Sequence, residues 1–166
     1  MGLVFLSLNK GWVSKEDYGF AKNELKVFLL GTLFLTVLGI FIERCLVKFC
    51  IPLFQERVFF TFPNLENLWV KLFDLTLGLS FVAISEEIVF RGYLVSWFKK
   101  RNLHPIVIVL ISSLLFGGVH WGRGIGIVLT AFVWSLLPAT FILKYRSIYP
   151  MIIAHFFTDL IAFGIF

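Results

Sequence analysis

A set of ionisable residues lies inside long apolar stretches of this sequence, where charged side chains are costly to place. The set comprises Glu86, Glu87, Arg91, His120, His155 and Asp159. On insertion scales a charged residue at mid-span costs about 2.5 to 3.5 kcal/mol, so such residues usually face a bundle interior or a water-filled cavity. Carboxylates and imidazoles are the side chains that most often transfer protons in catalysis. The set therefore indicates a site for proton-transfer chemistry buried within a membrane.

Helical geometry separates the two adjacent glutamates. Glu87 and Arg91 are four residues apart, so they share one face of a helix, where an ion pair can form. Glu86 points about 100° away from Glu87, because a helix turns once in 3.6 residues. We therefore expect Arg91 to hold Glu87 and Glu86 to stay available to a water molecule.

The histidines lie on two other apolar stretches. A histidine such as His120, placed close to Glu86, can orient a water molecule and share its proton. His155 and Asp159 are four residues apart on one helical face, where they can polarise a carbonyl group or hold an oxyanion. Counting about 1.5 Å per residue from the helix ends puts Glu86, His120 and Asp159 at roughly 18 to 22 Å depth. Three helices can therefore present polar groups to one pocket.

Several membrane-spanning helices are needed to position these residues. The chain has 166 residues, of which 59% are hydrophobic and only 15% are charged, and this is too apolar for an ordinary soluble domain. A span needs about 20 mainly apolar residues. Five stretches approach that length: 27–42 with an extension toward 54, then 68–98, 105–121, 125–143 and 148–166. We predict an all-α fold, a polytopic membrane helix bundle of about five transmembrane helices.

The remaining sequence and the charge distribution complete the expected organisation. Residues 1–24 carry mixed charge and are predicted to form an N-terminal cap or surface segment, followed by a membrane domain at 25–166. The net charge is +5, but the basic residues lie in short loops between apolar stretches. Membrane topology explains such loops better than a nucleic acid partner does. The expected partner is therefore the lipid bilayer, and nucleic acid is excluded.

The loops predict an orientation through the positive-inside rule. Nine basic residues fall on the side of the N-terminus: Lys10, Lys15, Lys22, Lys26, Lys99, Lys100, Arg101, Lys144 and Arg146. Five fall on the other side: Arg44, Lys48, Arg57, Lys71 and Arg123. Because cytoplasmic loops are enriched in lysine and arginine, we expect a multi-pass protein of the cell (inner) membrane with a cytoplasmic N-terminus.

Three motifs carry a resemblance to a known family. They are EExxxR at Glu86 to Arg91, FxxxH at Phe116 to His120, and HxxxD at His155 to Asp159. In this order, on successive apolar stretches, they resemble the CAAX protease and bacteriocin-processing family of membrane proteases, also called Abi proteins. The resemblance covers roughly residues 75–166, which would be the catalytic core.

The resemblance implies an intramembrane endopeptidase that hydrolyses a peptide bond. By analogy, Glu86 with His120 would activate the water, and His155 with Asp159 would stabilise the oxyanion. Glu87 belongs to the same catalytic set. Structural support would come from Arg91 and Phe116. The implied substrate is a peptide or protein, in some members a lipidated one: eukaryotic members cleave prenylated CAAX proteins, and bacterial relatives are linked to bacteriocin maturation or self-immunity.

Two departures from the family pattern affect this interpretation. Asp159 stands where other members carry asparagine, and an ionised aspartate would repel an oxyanion, so it is either protonated or serves to orient His155. Many relatives also have more spans ahead of the first motif.

The family has been labelled metalloprotease, yet the chain has no HExxH motif. We expect a glutamate mechanism without a cofactor. The zinc alternative stays open at this stage, with Glu86, His120 and His155 as its ligands.

Structural interpretations stand beside each motif. Glu87 with Arg91 could be only a buried ion pair, His120 an interfacial residue, and His155 with Asp159 a hydrogen bond between packed helices. The alternative function is a non-catalytic membrane immunity or scaffold protein that retains the fold. A proton-coupled carrier also explains buried carboxylates, but five spans leave little room for alternating access.

Overall fold

The computed structural model describes residues 18–21, 24–54, 58–59 and 65–164, with only the backbone of Ile51. The described chain forms five helices, which we number in chain order. They are α1 Leu25–Phe54, α2 Leu68–Lys100, α3 Pro105–Gly118, α4 Ile125–Tyr145 and α5 Tyr149–Gly164. No strand occurs in these ranges beyond one isolated bridge between Phe20 and Ser147. The predicted all-α class is confirmed.

Three of the helices are long and apolar enough to cross a membrane: α1, α2 and α4. The protein is therefore an integral membrane protein. The other two expected spans are shorter, with 14 residues in α3 and 16 in α5. At about 1.5 Å per residue they reach only about 21 and 24 Å, less than the roughly 30 Å of a hydrocarbon core. The polar residues of the second and third motifs belong to these two shorter helices or to the turn that follows α3.

Helix α2 is one continuous rod with two wider π-helical segments. It is α-helical at Leu68–Phe73, Leu79–Glu86 and Val95–Lys100, and π-helical at Asp74–Gly78 and Glu87–Leu94. Asn67 caps its start, because its side-chain oxygen accepts hydrogen bonds from the backbone N–H groups of Trp69 and Val70. Single π turns within α-helices occur frequently at functional sites. The second π segment begins at Glu87, within the first motif.

Helix α3 ends earlier than the sequence suggested. The expected span reached Trp121, but the helix stops at Gly118, and Trp121–Arg123 forms a separate 3₁₀ turn. Two consecutive glycines, Gly117 and Gly118, end it, since glycine weakens a helix through its backbone freedom. Gly124, with φ of 97°, then allows the chain to turn into α4. His120 therefore lies on a turn and not on the helix itself.

The five helices pack around an apolar core. α1 lies against α4 and α5, α3 lies against α4, and α2 lies against α5. Leu35, Val95, Ile108, Phe141 and Met151 are buried at the centre. These contacts bring α2, α5 and the turn after α3 together around one space.

Most of the predicted N-terminal cap, residues 1–17 and 22–23, lies outside the described residues. Of the described part, Tyr18 is fully buried. The carbonyl of Gly19 accepts a hydrogen bond of 2.9 Å from the N–H of Ile148. Residues 18–20 are thus attached to the end of the bundle where α5 begins.

Candidate active site

Arg91 and Glu87 form a buried ion pair on α2. Arg91 Nη1 lies 3.1 Å from Glu87 Oε1, and both side chains are almost completely shielded from solvent. Arg91 Nη2 donates a 3.0 Å hydrogen bond to Ser135 Oγ of α4. The guanidinium carbon lies 4.2 Å from the centre of the Phe116 ring, within the range of a cation–π contact. The pair expected from the spacing is present, and it connects α2 to α3 and α4.

Glu87 also holds the histidine of α5. His155 Nδ1 lies 2.9 Å from Glu87 Oε1. An ionised carboxylate can only accept a hydrogen bond, so Nδ1 donates and the ring is fixed with Nε2 on its far side. The indole of Trp134 packs against the same imidazole, with 4.6 Å between ring centres. Sequence analysis paired His155 with Asp159 alone, and the contact with Glu87 appears only in the structure.

Two further carboxylates flank the outward nitrogen of His155. Nε2 lies 3.4 Å from Asp159 Oδ2 and 3.7 Å from Glu86 Oε2. A doubly protonated ring donates from both nitrogens, whereas a neutral ring whose proton is on Nδ1 keeps a lone pair on Nε2. The structure therefore brings the first and third motifs together at His155.

Glu86 differs from Glu87 in its access to solvent. The Glu86 side chain is 25% exposed, whereas that of Glu87 is 0% exposed. Glu86 Oε2 is buried and accepts no hydrogen bond from any residue in the described ranges, and the same holds for Glu87 Oε2. Glu86, however, lines a cavity whose lining does not include Glu87. A water molecule can therefore reach the Glu86 carboxylate, as the sequence analysis expected.

His120 approaches the cavity from the turn after α3. Its Nδ1 lies 2.8 Å from the carbonyl oxygen of Phe116. A carbonyl can only accept, so Nδ1 donates, and in the neutral ring Nε2 keeps its lone pair. The His120 ring also lies 5.1 Å, centre to centre, from the ring of Phe116. Phe116 thus contacts both His120 and Arg91, which agrees with its expected structural role.

One cavity of about 460 Å³ is lined by polar residues from each of the three motifs. Glu86, His120, His155 and Asp159 all line it. The geometry joins Glu86 most directly to His155, and no hydrogen bond links Glu86 to His120 among the described residues. The sequence predicted a pocket shared by three helices; in the structure α2, α5 and the turn after α3 form it.

A second cavity of about 370 Å³ adjoins the first and adds residues that sequence analysis missed. It shares His120, His155 and Asp159 with the first cavity, and α1 contributes Glu43 and Arg44 to its wall. Both charged residues interrupt the apolar stretch that became α1. Two adjacent charged residues inside an apolar span are a sequence signal that could have identified Glu43 and Arg44 as site residues.

Helix α1 also fixes the helices that carry the site. Arg44 Nη2 donates a 2.8 Å hydrogen bond to the carbonyl of Ile161, in the last turn of α5. Such carbonyls lack a partner within their own helix. At Gly39 a Cβ atom would lie 2.6 Å from Trp134 Nε1, so the absence of a side chain lets α1 approach the indole that packs on His155.

The residues that could have held zinc do not fit a metal site. No group of three or more histidine, cysteine, aspartate or glutamate side chains within the described residues is arranged to hold a metal ion. Nδ1 of His155 is engaged by Glu87, and Nδ1 of His120 by a backbone carbonyl, so only Nε2 of each ring is left for another ligand. We derive no step through a metal.

Comparison with protein families adds a finding that the geometry alone does not supply. The family model described as type II CAAX prenyl endopeptidase Rce1-like matches residues 67–161, more than half of the chain. The chain belongs to this Rce1-like family. No curated protein and no solved structure matches it.

The Rce1-like match contains all three motifs, from Glu86 to Asp159. The resemblance drawn from those motifs is therefore confirmed, and the family is one of proteases. Helix α1 lies entirely outside the matched residues, although it lines the second cavity. The family match thus covers the motif-bearing helices and does not extend to α1, which contributes to the cavity wall in this chain.

Proposed function

We propose that this protein is an intramembrane endopeptidase in which Glu86 and His120 activate the water that hydrolyses a peptide bond. The observation that carries the proposal is the position of Glu86. It is the carboxylate of the first motif that lines the cavity, and it lies beside His155 while His120 faces the same space. A base, a second proton carrier and a charged donor around one cavity are the parts that peptide hydrolysis needs.

The reaction requires two proton transfers. Glu86 accepts a proton from the water as the water oxygen attacks the scissile carbonyl carbon. The same proton is then delivered to the amide nitrogen, so that the C–N bond breaks and an amine leaves. His120 orients the water through the Nε2 lone pair, because its Nδ1 is engaged by the Phe116 carbonyl. General acid–base steps of this kind contribute about 10² to 10⁴ in rate.

His155 stabilises the negative charge that develops on the carbonyl oxygen. Its orientation supports this role, since Glu87 holds Nδ1 and leaves Nε2 toward the cavity. Asp159 Oδ2 lies 3.4 Å from the same Nε2, a position suited to orienting the imidazole. We therefore assign Asp159 to positioning His155.

The proposed setting is the cell membrane, with the N-terminus in the cytoplasm as the basic loops predict. The substrate is a peptide or protein that reaches the cavity from within or beside the bilayer. Since the matched family is described by prenyl endopeptidase activity, a lipidated substrate is the first to test.

The test is cleavage by the full-length protein reconstituted in liposomes. A farnesylated peptide with a CAAX-type C-terminus and its unprenylated twin are incubated with the protein, and the released fragment is quantified by mass spectrometry. Glu86→Gln should lower kcat by about 10² to 10⁴. Glu66→Gln, a change at an exposed glutamate just before α2, is the matched control and should cleave like the wild type.

Substrate trapping extends the test to membranes of the host cell. Glu86→Gln protein carrying a photocrosslinker should retain peptides that wild-type protein releases as fragments. Full activity in Glu86→Gln contradicts the proposal. A cellular phenotype that survives simultaneous loss of Glu86, His120 and His155 would instead support the non-catalytic immunity or scaffold function.

A further inference from the structure

An apolar groove runs along the outside of the bundle between α1 and α4. Its volume is about 630 Å³, and none of its lining residues belongs to either cavity of the candidate active site. Gly31, Leu35 and Phe141 are buried along it, while Leu30 and Phe34 remain more than half exposed at its edge. The groove is therefore a separate feature that opens on the side of the protein that faces lipid.

Two lysines stand at one end of this groove. Lys26 is the second residue of α1, and Lys144 is the last but one of α4, so the antiparallel helices place both at the same membrane boundary. No acidic side chain is part of the groove lining among the described residues. Neither lysine forms an ion pair within the described ranges, and Lys144 Nζ lies 5.0 Å from the ring centre of Tyr145.

The groove is long enough to take part of a hydrocarbon chain. From Lys26 to Leu35 there are nine helical steps of about 1.5 Å, or roughly 13 Å, and Leu136 to Tyr145 spans the same distance on α4. Its polar end also includes Tyr145, an amphipathic residue of the kind enriched at membrane interfaces. One end is cationic and the remainder is apolar, which is the complement of an anionic lipid.

We propose that the groove between α1 and α4 is a binding site for an anionic phospholipid, with the phosphate at Lys26 and Lys144 and an acyl chain along Gly31, Leu35 and Leu137. Basic pockets between helices are known to bind lipid head groups of this class. Both lysines belong to the set that the positive-inside rule assigns to the cytoplasmic side, where anionic lipids attract basic residues. The site concerns lipid recognition and does not depend on catalysis.

The experiment measures lipid retention by the full-length protein in detergent, by native mass spectrometry. Phosphatidylglycerol and phosphatidylcholine with identical acyl chains are titrated in parallel, together with glycerol phosphate, which has the anion but no acyl chain. Wild-type protein should retain phosphatidylglycerol and neither of the other two. Each of Lys26→Gln and Lys144→Gln should weaken retention about fivefold, because a lysine near the surface contributes about 1 kcal/mol.

Matched variants separate the groove from general surface charge and from misfolding. Lys99→Gln removes an exposed lysine at the end of α2, outside the groove, and should retain phosphatidylglycerol like the wild type. Thr140→Trp fills the groove from its exposed edge and should weaken retention while both lysines remain. Circular dichroism verifies that each variant is folded.

Three results would overturn the proposal. One is equal retention of phosphatidylglycerol and phosphatidylcholine, which indicates a groove without charge selection. Another is binding of glycerol phosphate as strong as that of the lipid, which indicates an anion site without an acyl channel. The third is self-association that Thr140→Trp abolishes while lipid retention is unchanged, which indicates that the groove is occupied by a second copy of the chain.

Discussion

Two faces of α2, one residue apart, place identical side chains in different surroundings. The buried face carries Glu87 and Arg91, which pair with each other, and Arg91 also binds Ser135 of α4; all three side chains are buried. The cavity face consists of Glu86 and the cavity it lines, with His120 and Asp159 opposite. Removing one partner of a fully buried ion pair destabilises the fold. A carboxylate that is open to water can instead accept and release a proton. We therefore expect substitutions on the buried face to lower the stability of the protein, and substitutions on the cavity face to lower its catalytic rate.

The largest expected effect on stability comes from the buried face. Glu87→Gln removes the charge that compensates Arg91 and should lower the free energy of unfolding by about 3 to 5 kcal/mol. Unfolding in mixed micelles with increasing denaturing detergent measures this change. Glu86→Gln is the natural control, with an expected change below about 1 kcal/mol, since its side chain is partly exposed. Equal destabilisation by both variants would break the comparison.

A smaller loss of stability is expected on the α4 side of the same network. Ser135→Ala leaves Arg91 Nη2 without its hydrogen-bond acceptor, and such a loss at a charged group is worth about 1.5 to 3 kcal/mol. The same unfolding assay detects it. Ser85→Ala, which removes a hydroxyl bonded within its own helix to Val82, should change the free energy by less than about 0.5 kcal/mol.

The contact between α1 and Trp134 tests whether His155 needs external support. Gly39→Ala places a Cβ atom 2.6 Å from Trp134 Nε1 and 3.0 Å from Thr158 Oγ1. Overpacking of this kind costs about 1 to 3 kcal/mol, and a displaced imidazole should lower kcat by about tenfold with a smaller change in KM. Gly164→Ala is the control, because a Cβ there makes only ordinary contacts, the nearest at 3.5 Å from Leu160 Cδ1. An unchanged kcat in Gly39→Ala would show that α1 does not position the histidine.

The smallest expected effect lies at Asp159. Asparagine has the same shape and keeps an oxygen that can face His155, and it is the residue found in other members that the motif resembles. Asp159→Asn should therefore keep kcat within about tenfold of the wild type, whereas Asp159→Ala should fall further because the imidazole loses its support. Cleavage rates of the two variants decide the point. Complete loss of activity in Asp159→Asn would mean that the charge itself is required.

Much of the site follows from local geometry that a sequence carries by itself. Apolar length and composition determine that the chain lies in a membrane as helices, and spacing by four determines that Glu87 can pair with Arg91. The order of the three motifs was sufficient to indicate the family. The ends of helices were predicted less accurately than their existence. The helix ends at Gly118 because glycine has a weak helix preference, but the apolar residues that continue to Trp121 made the span look longer.

Contacts between helices were decided only by the tertiary structure. His155 is bound to Glu87, 68 residues earlier in the chain, and nothing in either local pattern determines that distance. The contribution of α1 through Gly39 and Arg44 likewise depends on how closely one helix approaches another. Helical periodicity fixes which residues share a face, because backbone hydrogen bonds are local. Which faces meet depends on the fit of many side chains at once, and that fit divides Glu86 and Glu87 between the cavity and the buried ion pair.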